Sequence, residues 1–134
     1  MNKSSEVFTA KVYEAVLDAE EALVGALLID SAFSHDRTAI SDVATILTPK
    51  DFLNERCGRI YEAMLKCQGT PHQINVGKQL VDSGKAMVGD IADMSYCIKG
   101  CPCSLDYMDY AKTIISYSGQ RNPSRINPMR TIEV

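Results

Sequence analysis

Tryptophan is absent from these 134 residues, and aromatic side chains make up only 7%. Any core therefore has to be assembled from aliphatic, methionine and small side chains rather than around large rings. Nowhere do eighteen apolar residues follow one another, so the sequence offers no membrane span. The start, Met1-Asn2-Lys3-Ser4-Ser5-Glu6, lacks the apolar stretch of a secretory signal. Phosphate-cradling loops of the forms G-x4-G-K-[ST] and G-x-G-x-x-G are missing, and Gly77-Lys78 lacks both the earlier glycine and the following hydroxyl. Positive charge is also scarce. Residues 1–120 set eleven Lys/Arg against sixteen Asp/Glu, and only 121–134, with Arg121, Arg125 and Arg130 against Glu133, lean the other way. Tight binding to a phosphate backbone needs several phosphates neutralised at once. Contact with DNA is therefore expected to be weak and confined to the tail.

What remains suits one domain: 46% hydrophobic and 23% charged residues are ordinary for a globular chain of this length. Five cysteines, an odd number, without an export signal point to free thiols in a reducing cytoplasm. Cys57 and Cys67 fall on periodic apolar positions and read as small buried hydrophobes. Cys97, Cys101 and Cys103 lie close enough in sequence to suggest a metal, but structural zinc wants four ligands, and no second pair matches. The expectation is no metal and no cofactor. A stand-alone regulatory module with metal on Cys97, Cys101 and Cys103 is the alternative. His35 and His72 read as solvated loop residues, and the scattered carboxylates (Glu20, Glu21, Asp36, Asp42, Asp90, Asp93, Asp106 and Asp109) as helix starts and polar faces.

The apolar spacing predicts an all-α fold of about six short helices. Residues 1–17 read as an N-terminal extension, 18–119 as the helical domain, and 120–134, with Pro123 and Pro128, as a flexible tail or linker. A first helix is expected from the box-like Asp18-x-x-Glu21 to Leu28 or Ile29, with Gly25 admitting a close neighbour and Asp30–Ser34 forming a turn. A second should run to Leu47. Thr48-Pro49 should open a brief helical turn, and Asn54 should cap a helix striped with Cys57, Ile60, Tyr61, Met64 and Leu65. Asn75 is expected to cap the next, followed by a helix over 88–98 and a last one from Ser104 to about Ser118 or Gly119. Gln73–Val76 is the one equivocal strand. The expected core is Leu23, Leu27, Leu28, Ile40, Val43, Leu47, Phe52, Ile60, Met64, Leu80 and Ile91. On the last helix, Tyr107, Met108, Tyr110, Ile114, Ile115 and Tyr117 occupy more of the circumference than one buried face needs. Tyr and Met favour interfaces, so this helix is the candidate contact surface. A weak homodimer through Tyr107, Met108, Ile114 and Ile115 is expected.

Five blocks in order resemble the N-terminal domain of DnaB-type replicative DNA helicases. Ala19-Glu20-Glu21-Ala22-Leu23-Val24-Gly25-Ala26-Leu27-Leu28-Ile29-Asp30 looks like the family's opening helix. Leu47-Thr48-Pro49-Lys50-Asp51-Phe52 is similar to its Leu-x-Pro-Glu-Asp-Phe, and Arg59-Ile60-Tyr61-Glu62-Ala63-Met64 to its Ile-Phe/Tyr-x-Ala-Met segment. Pro71 with Ile74-Asn75, and Ile91-Ala92-Asp93-Met94 through Pro102 to Tyr110-Ala111, complete the series. Cys57 stands where the family often has His, the cysteines around Pro102 are unusual, and the hairpin's second helix is missing or degenerate. The resemblance implies a non-catalytic collar domain that assembles helicase subunits and helps recruit primase, with ATP hydrolysis belonging to a motor domain. By the same resemblance Leu105, Met108, Tyr110, Ala111, Ile114 and Ile115 would serve assembly or partner binding, and Gly25 and Phe52 architecture. Leu27 and Ile60 are read as structural.

Overall fold

The computed structural model describes residues 3–121, with side chains from 10 to 120. Six α-helices follow in order: α1 (Lys3–Ser34), α2 (Thr38–Ala44), α3 (Glu55–Lys66), α4 (Gln73–Asp82), α5 (Asp90–Gly100) and α6 (Tyr107–Arg121). Short 3-10 turns at Pro49–Asp51 and Ser104–Asp106 lead towards α3 and α6. There is no strand among the described residues, and Gln73–Val76 forms the first turn of α4. The all-helical expectation therefore holds, and Gln120 and Arg121 prolong α6 beyond Gly119. The expected flexible segment beyond Arg121 lies outside the described residues.

The largest departure is α1. It neither begins at Asp18 nor stops at Ile29, but runs 32 residues, roughly 48 Å at the usual helical rise. The polar end that reads as a turn is helical, and its hydroxyls are satisfied by the helix's own carbonyls. Ser31 Oγ donates to the Leu27 carbonyl and Ser34 Oγ to that of Asp30, each at 2.8 Å. His35, at φ 58°, then ends it in the left-handed conformation common just past helix C-termini. From Ala22 to Leu28 every residue of α1 is buried. A helix apolar all round has to be a central one, and α2, α3, α5 and α6 all pack against it.

The fit is tightest against α5. A Cβ on Gly25 would collide with the backbone carbonyl of Cys97, so only glycine permits this approach. Leu23, Val24, Leu27 and Leu28 of α1 pack into one core with Ile40, Val43, Leu47, Ile60, Tyr61, Met64, Leu80, Met94, Ala111 and Ile114. Tyr61 donates its hydroxyl to the Leu47 carbonyl at 2.9 Å and sets its ring 5.1 Å from the half-buried Phe52. One core expectation needs correction. Ile91 is 57% exposed because it lies outside the core, its Cδ1 resting against Gly77 of α4. Met94, one turn further, takes the buried position.

Helix starts are partly as expected. Asn54 Oδ1 accepts from the N–H groups of Arg56 at 3.0 Å and Cys57 at 3.2 Å, and the Asp51 carboxylate accepts from Thr48 N–H at 2.8 Å. The cap of α4 is His72, not Asn75: its Nδ1 accepts from Asn75 N–H, while the Asn75 amide donates to the Thr70 carbonyl. Ser104 does not cap α6 either, since it opens the 3-10 turn before it.

Two stability outcomes follow. Leu27→Ala should lower unfolding free energy by about 2–5 kcal/mol, through lost transfer energy and the cavity left behind. Urea titration would show this, and a loss below about 1 kcal/mol would mean that Leu27 is not in the core. Gly25→Ala should destabilise the fold even though alanine improves helix propensity by about 1 kcal/mol. A raised melting temperature for that variant would contradict the backbone contact between α1 and α5.

Candidate functional site

The last helix divides its face between the chain's own core and solvent. Ala111 and Ile114 are fully buried against α1 and its neighbours, and Met108 and Ile115 are half-buried beside them. Tyr107 Oη donates to Asp42 Oδ2 of α2 at 3.1 Å. Burial and that carboxylate together raise the Tyr107 pKa above its ordinary value. Tyr110 Oη donates to the Cys103 carbonyl at 3.0 Å and accepts from the Cys103 N–H at 3.2 Å, closing the loop before the helix. Ser118 donates to the buried Asp51 at 2.6 Å and ties the far end to the 3-10 turn. The aromatic and apolar excess legible in the sequence is thus largely spent inside the chain.

What stays open is Leu105, 82% exposed, with Met108 and Ile115 behind it at three- and seven-residue steps. Between α6 and the N-terminal half of α1 runs a mainly apolar groove of about 400 Å³, lined by Val12, Ala15, Val16, Lys112, Thr113, Ser116, Tyr117 and Gln120. A second exposed apolar group was not foreseen: Ile74 and Val81 on α4, Met87 and Val88 in the following loop, and Ile91 on α5. Ile74, Gly77 and Val81 share one face of α4 by their spacing, which was the available signal.

Buried ions hold this frame. Glu20, placed on a polar face from the sequence, is fully buried in α1. Its two oxygens accept from Leu53 N–H at 2.7 Å and Asn54 N–H at 2.8 Å, at the approach to α3. Asp90, which opens α5, is buried and takes Arg59 in a two-pronged pair at 2.6 and 2.9 Å. It also accepts from Met87 N–H at 2.8 Å. Hydrogen bonding from Arg59 holds the Asp90 carboxyl below the usual aspartate range, against the opposing effect of burial. Arg37 caps the other end of α3, donating to the carbonyls of Met64, Leu65, Cys67 and Gly69. These groups do structural work, and none is a nucleophile set beside a free base.

All five thiols are free. Cys57, Cys67 and Cys97 are buried, while Cys101 and Cys103 are half-buried in the loop before α6. Cys101, Cys103 and Cys97 do not converge on one point, because Cys97 sits on the α1-facing side of α5, its thiol 3.9 Å from Asp93 Oδ2. The three-cysteine ligand set is therefore not what the fold assembles.

A family model described as the DnaB-like helicase N-terminal domain matches residues 13–116. The chain belongs to that family. No curated protein matches the sequence. Among solved structures, the N-terminal domain of DnaB helicase from Mycobacterium tuberculosis is similar with a TM-score of 0.65 and 23% identity. The match covers 76% of this chain and 69% of that one. At that identity the likeness speaks for the fold, which is the same helical arrangement. The domain is the non-catalytic part of a replicative helicase, the ATPase lying in a separate domain that these residues do not include. No helix among the described residues is long and apolar enough to cross a membrane.

For this DnaB-like domain the Arg59–Asp90 pair gives a pH signature. A carboxyl whose pKa is lowered by folding stabilises the native state above its unfolded pKa, about 3.9 for aspartate, and loses that contribution as pH falls through the folded value. The stability gap between the native sequence and Asp90→Asn, measured by urea unfolding, should be full at neutral pH and shrink below about pH 3.9. A gap independent of pH would show that the pair does not carry it.

Proposed function

We propose that this chain acts as a protein-binding module of a replicative helicase, associating with copies of itself in a collar and offering a surface to another replication protein such as primase. The family match over residues 13–116 carries the reading. The exposed apolar groups support it, since contiguous apolar surface on a folded domain marks a contact site. The surface proposed is centred on Leu105, Met108 and Ile115, with Tyr107 and Tyr110 at its edge. Ala111 and Ile114 contribute by holding the helix in the core rather than by meeting a partner. DNA has little to attract it to an acidic body, so strand binding belongs to other parts of the machinery. The reading also assigns the chain to the cytoplasm, where replication proteins of this type work.

Sedimentation equilibrium from micromolar to high-micromolar concentration tests the self-association. The 14.7 kDa chain should show a weak monomer–dimer equilibrium. Leu105→Asp with Ile115→Asp should abolish it by stranding charge in the contact, while helicity persists. Ile114 is unsuitable for this test because it is buried in the monomer. A strict monomer at every concentration would refute self-association in the isolated domain and leave contact with a different replication protein as the use of the surface.

A further inference from the structure

We propose that Glu21, Asp93 and Cys97 form a binding site for a divalent cation of the zinc type, on the seam between α1 and α5. One ligand atom from each of the three lies within 4.8 Å of the others. Two donors on one tetrahedral zinc, each at about 2.0–2.3 Å, stand about 3.3–3.8 Å apart, so side-chain rotations that draw the donors together by up to about an ångström close the set. The sequence order supports the geometry. Asp93 and Cys97 are four residues apart on α5 and so share a face one turn from each other. Glu21 reaches them from α1, one turn before Gly25. The Gly25 contact with the Cys97 carbonyl fixes the two backbones without any help from a metal, so the donors are held in place beforehand.

Access and charge point the same way. A cavity of about 290 Å³ reaches Glu21 and Cys97, with Asp18, Ala22, Tyr96 and Pro102 around them, and leaves room there for water ligands, while Asp93 faces a separate cavity beside Arg56 and Arg59. Neither Glu21 nor Asp93 has an ion-pair partner among the described residues. The fully buried Cys57 belongs to the same core as Cys97. Two carboxylates and one thiolate suit zinc or cobalt(II) better than magnesium or calcium, which prefer all-oxygen sites, or copper(I), which prefers sulfur. This site is independent of the collar reading and separate from the apolar surface on α6.

Titration of the full chain with Co²⁺, then competition with Zn²⁺, tests it. One Co²⁺ per chain should bind with a sulfur-to-cobalt charge-transfer band and be displaced by Zn²⁺. Loss of even an outer partner of a metal ligand weakens binding about 10–100-fold, so Asp93→Asn and Cys97→Ser should each weaken Zn²⁺ binding by at least ~10-fold. Cys101→Ser and Cys103→Ser should leave it unchanged. A missing charge-transfer band overturns the proposal, as does a band that survives Cys97→Ser but is lost with Cys101→Ser. Should Cys97→Ser fail to fold, judged by far-UV circular dichroism, the half-buried Asp93→Asn decides: affinity unchanged in that variant also overturns it.

Discussion

Between α1 and α5 there is no space for a methyl group at residue 25, and much of the molecule is arranged by that contact. With the Gly25 backbone against the Cys97 carbonyl, the next turns of both helices come into register. Met94 reaches the core, and Cys97 is pressed against Cys57 of α3. Glu21 and Asp93 are brought close to one another. A larger residue at position 25 would move α5 outward and change all these neighbours together, because close-packed interiors transmit displacement rather than absorb it.

A central helix with no free face also has to serve the polar groups around it. Glu20 does so by turning its carboxylate towards two amide groups where the chain enters α3, and it is buried without being stranded. Arg37 performs the opposite service at the far end of α3, covering carbonyls that have no helical partner. The twelve-residue α3, short enough to be marginal alone, is thus gripped electrostatically at both ends and hydrophobically along Ile60, Tyr61 and Met64. Charge-assisted hydrogen bonds of this kind are worth more than neutral ones. They also fix register, since each needs its partner at one place only.

How much could be read from residues alone varies with how local the cause is. The start of α3 was legible because Asn54 and the stripe behind it are a local pattern, and the Thr48-Pro49 turn for the same reason. The reach of α1 was not, because Asp30–Ser34 has turn composition, yet its hydroxyls bond to the Leu27 and Asp30 carbonyls within the helix instead of turning the chain. Ile91 was misread since its periodicity is that of a core residue, and nothing local says that Met94 wins the buried place. Glu20 illustrates the same limit: a glutamate beside another glutamate looks solvated until Leu53 and Asn54, more than thirty residues away, arrive with unpaired amides. The family blocks, spread from Ala19 to Ala111, were legible as a series, whereas their side-chain contacts were not. The convergence of Glu21 with Asp93 and Cys97 depends on how two distant helices pack, and the sequence showed only the misleading proximity of Cys97, Cys101 and Cys103.

The division of labour on α6 constrains any partner. Ala111 and Ile114 face inward, Tyr107 and Ser118 are bound to Asp42 and Asp51, and Tyr110 secures the loop that delivers the helix. Each of these ties would have to break before its side chain could meet another protein, at the cost of stability the monomer needs. Association is therefore easiest through groups that burial on folding has left unfinished: Leu105 wholly, Met108 and Ile115 in part. Such a surface is small, and small apolar contacts bind weakly because association must first overcome lost translational and rotational freedom. In the collar proposed above, weak pairwise contact is enough. When many copies are held together by other domains, each contact forms at high effective concentration, and the domain need not bind its neighbour tightly to stay beside it.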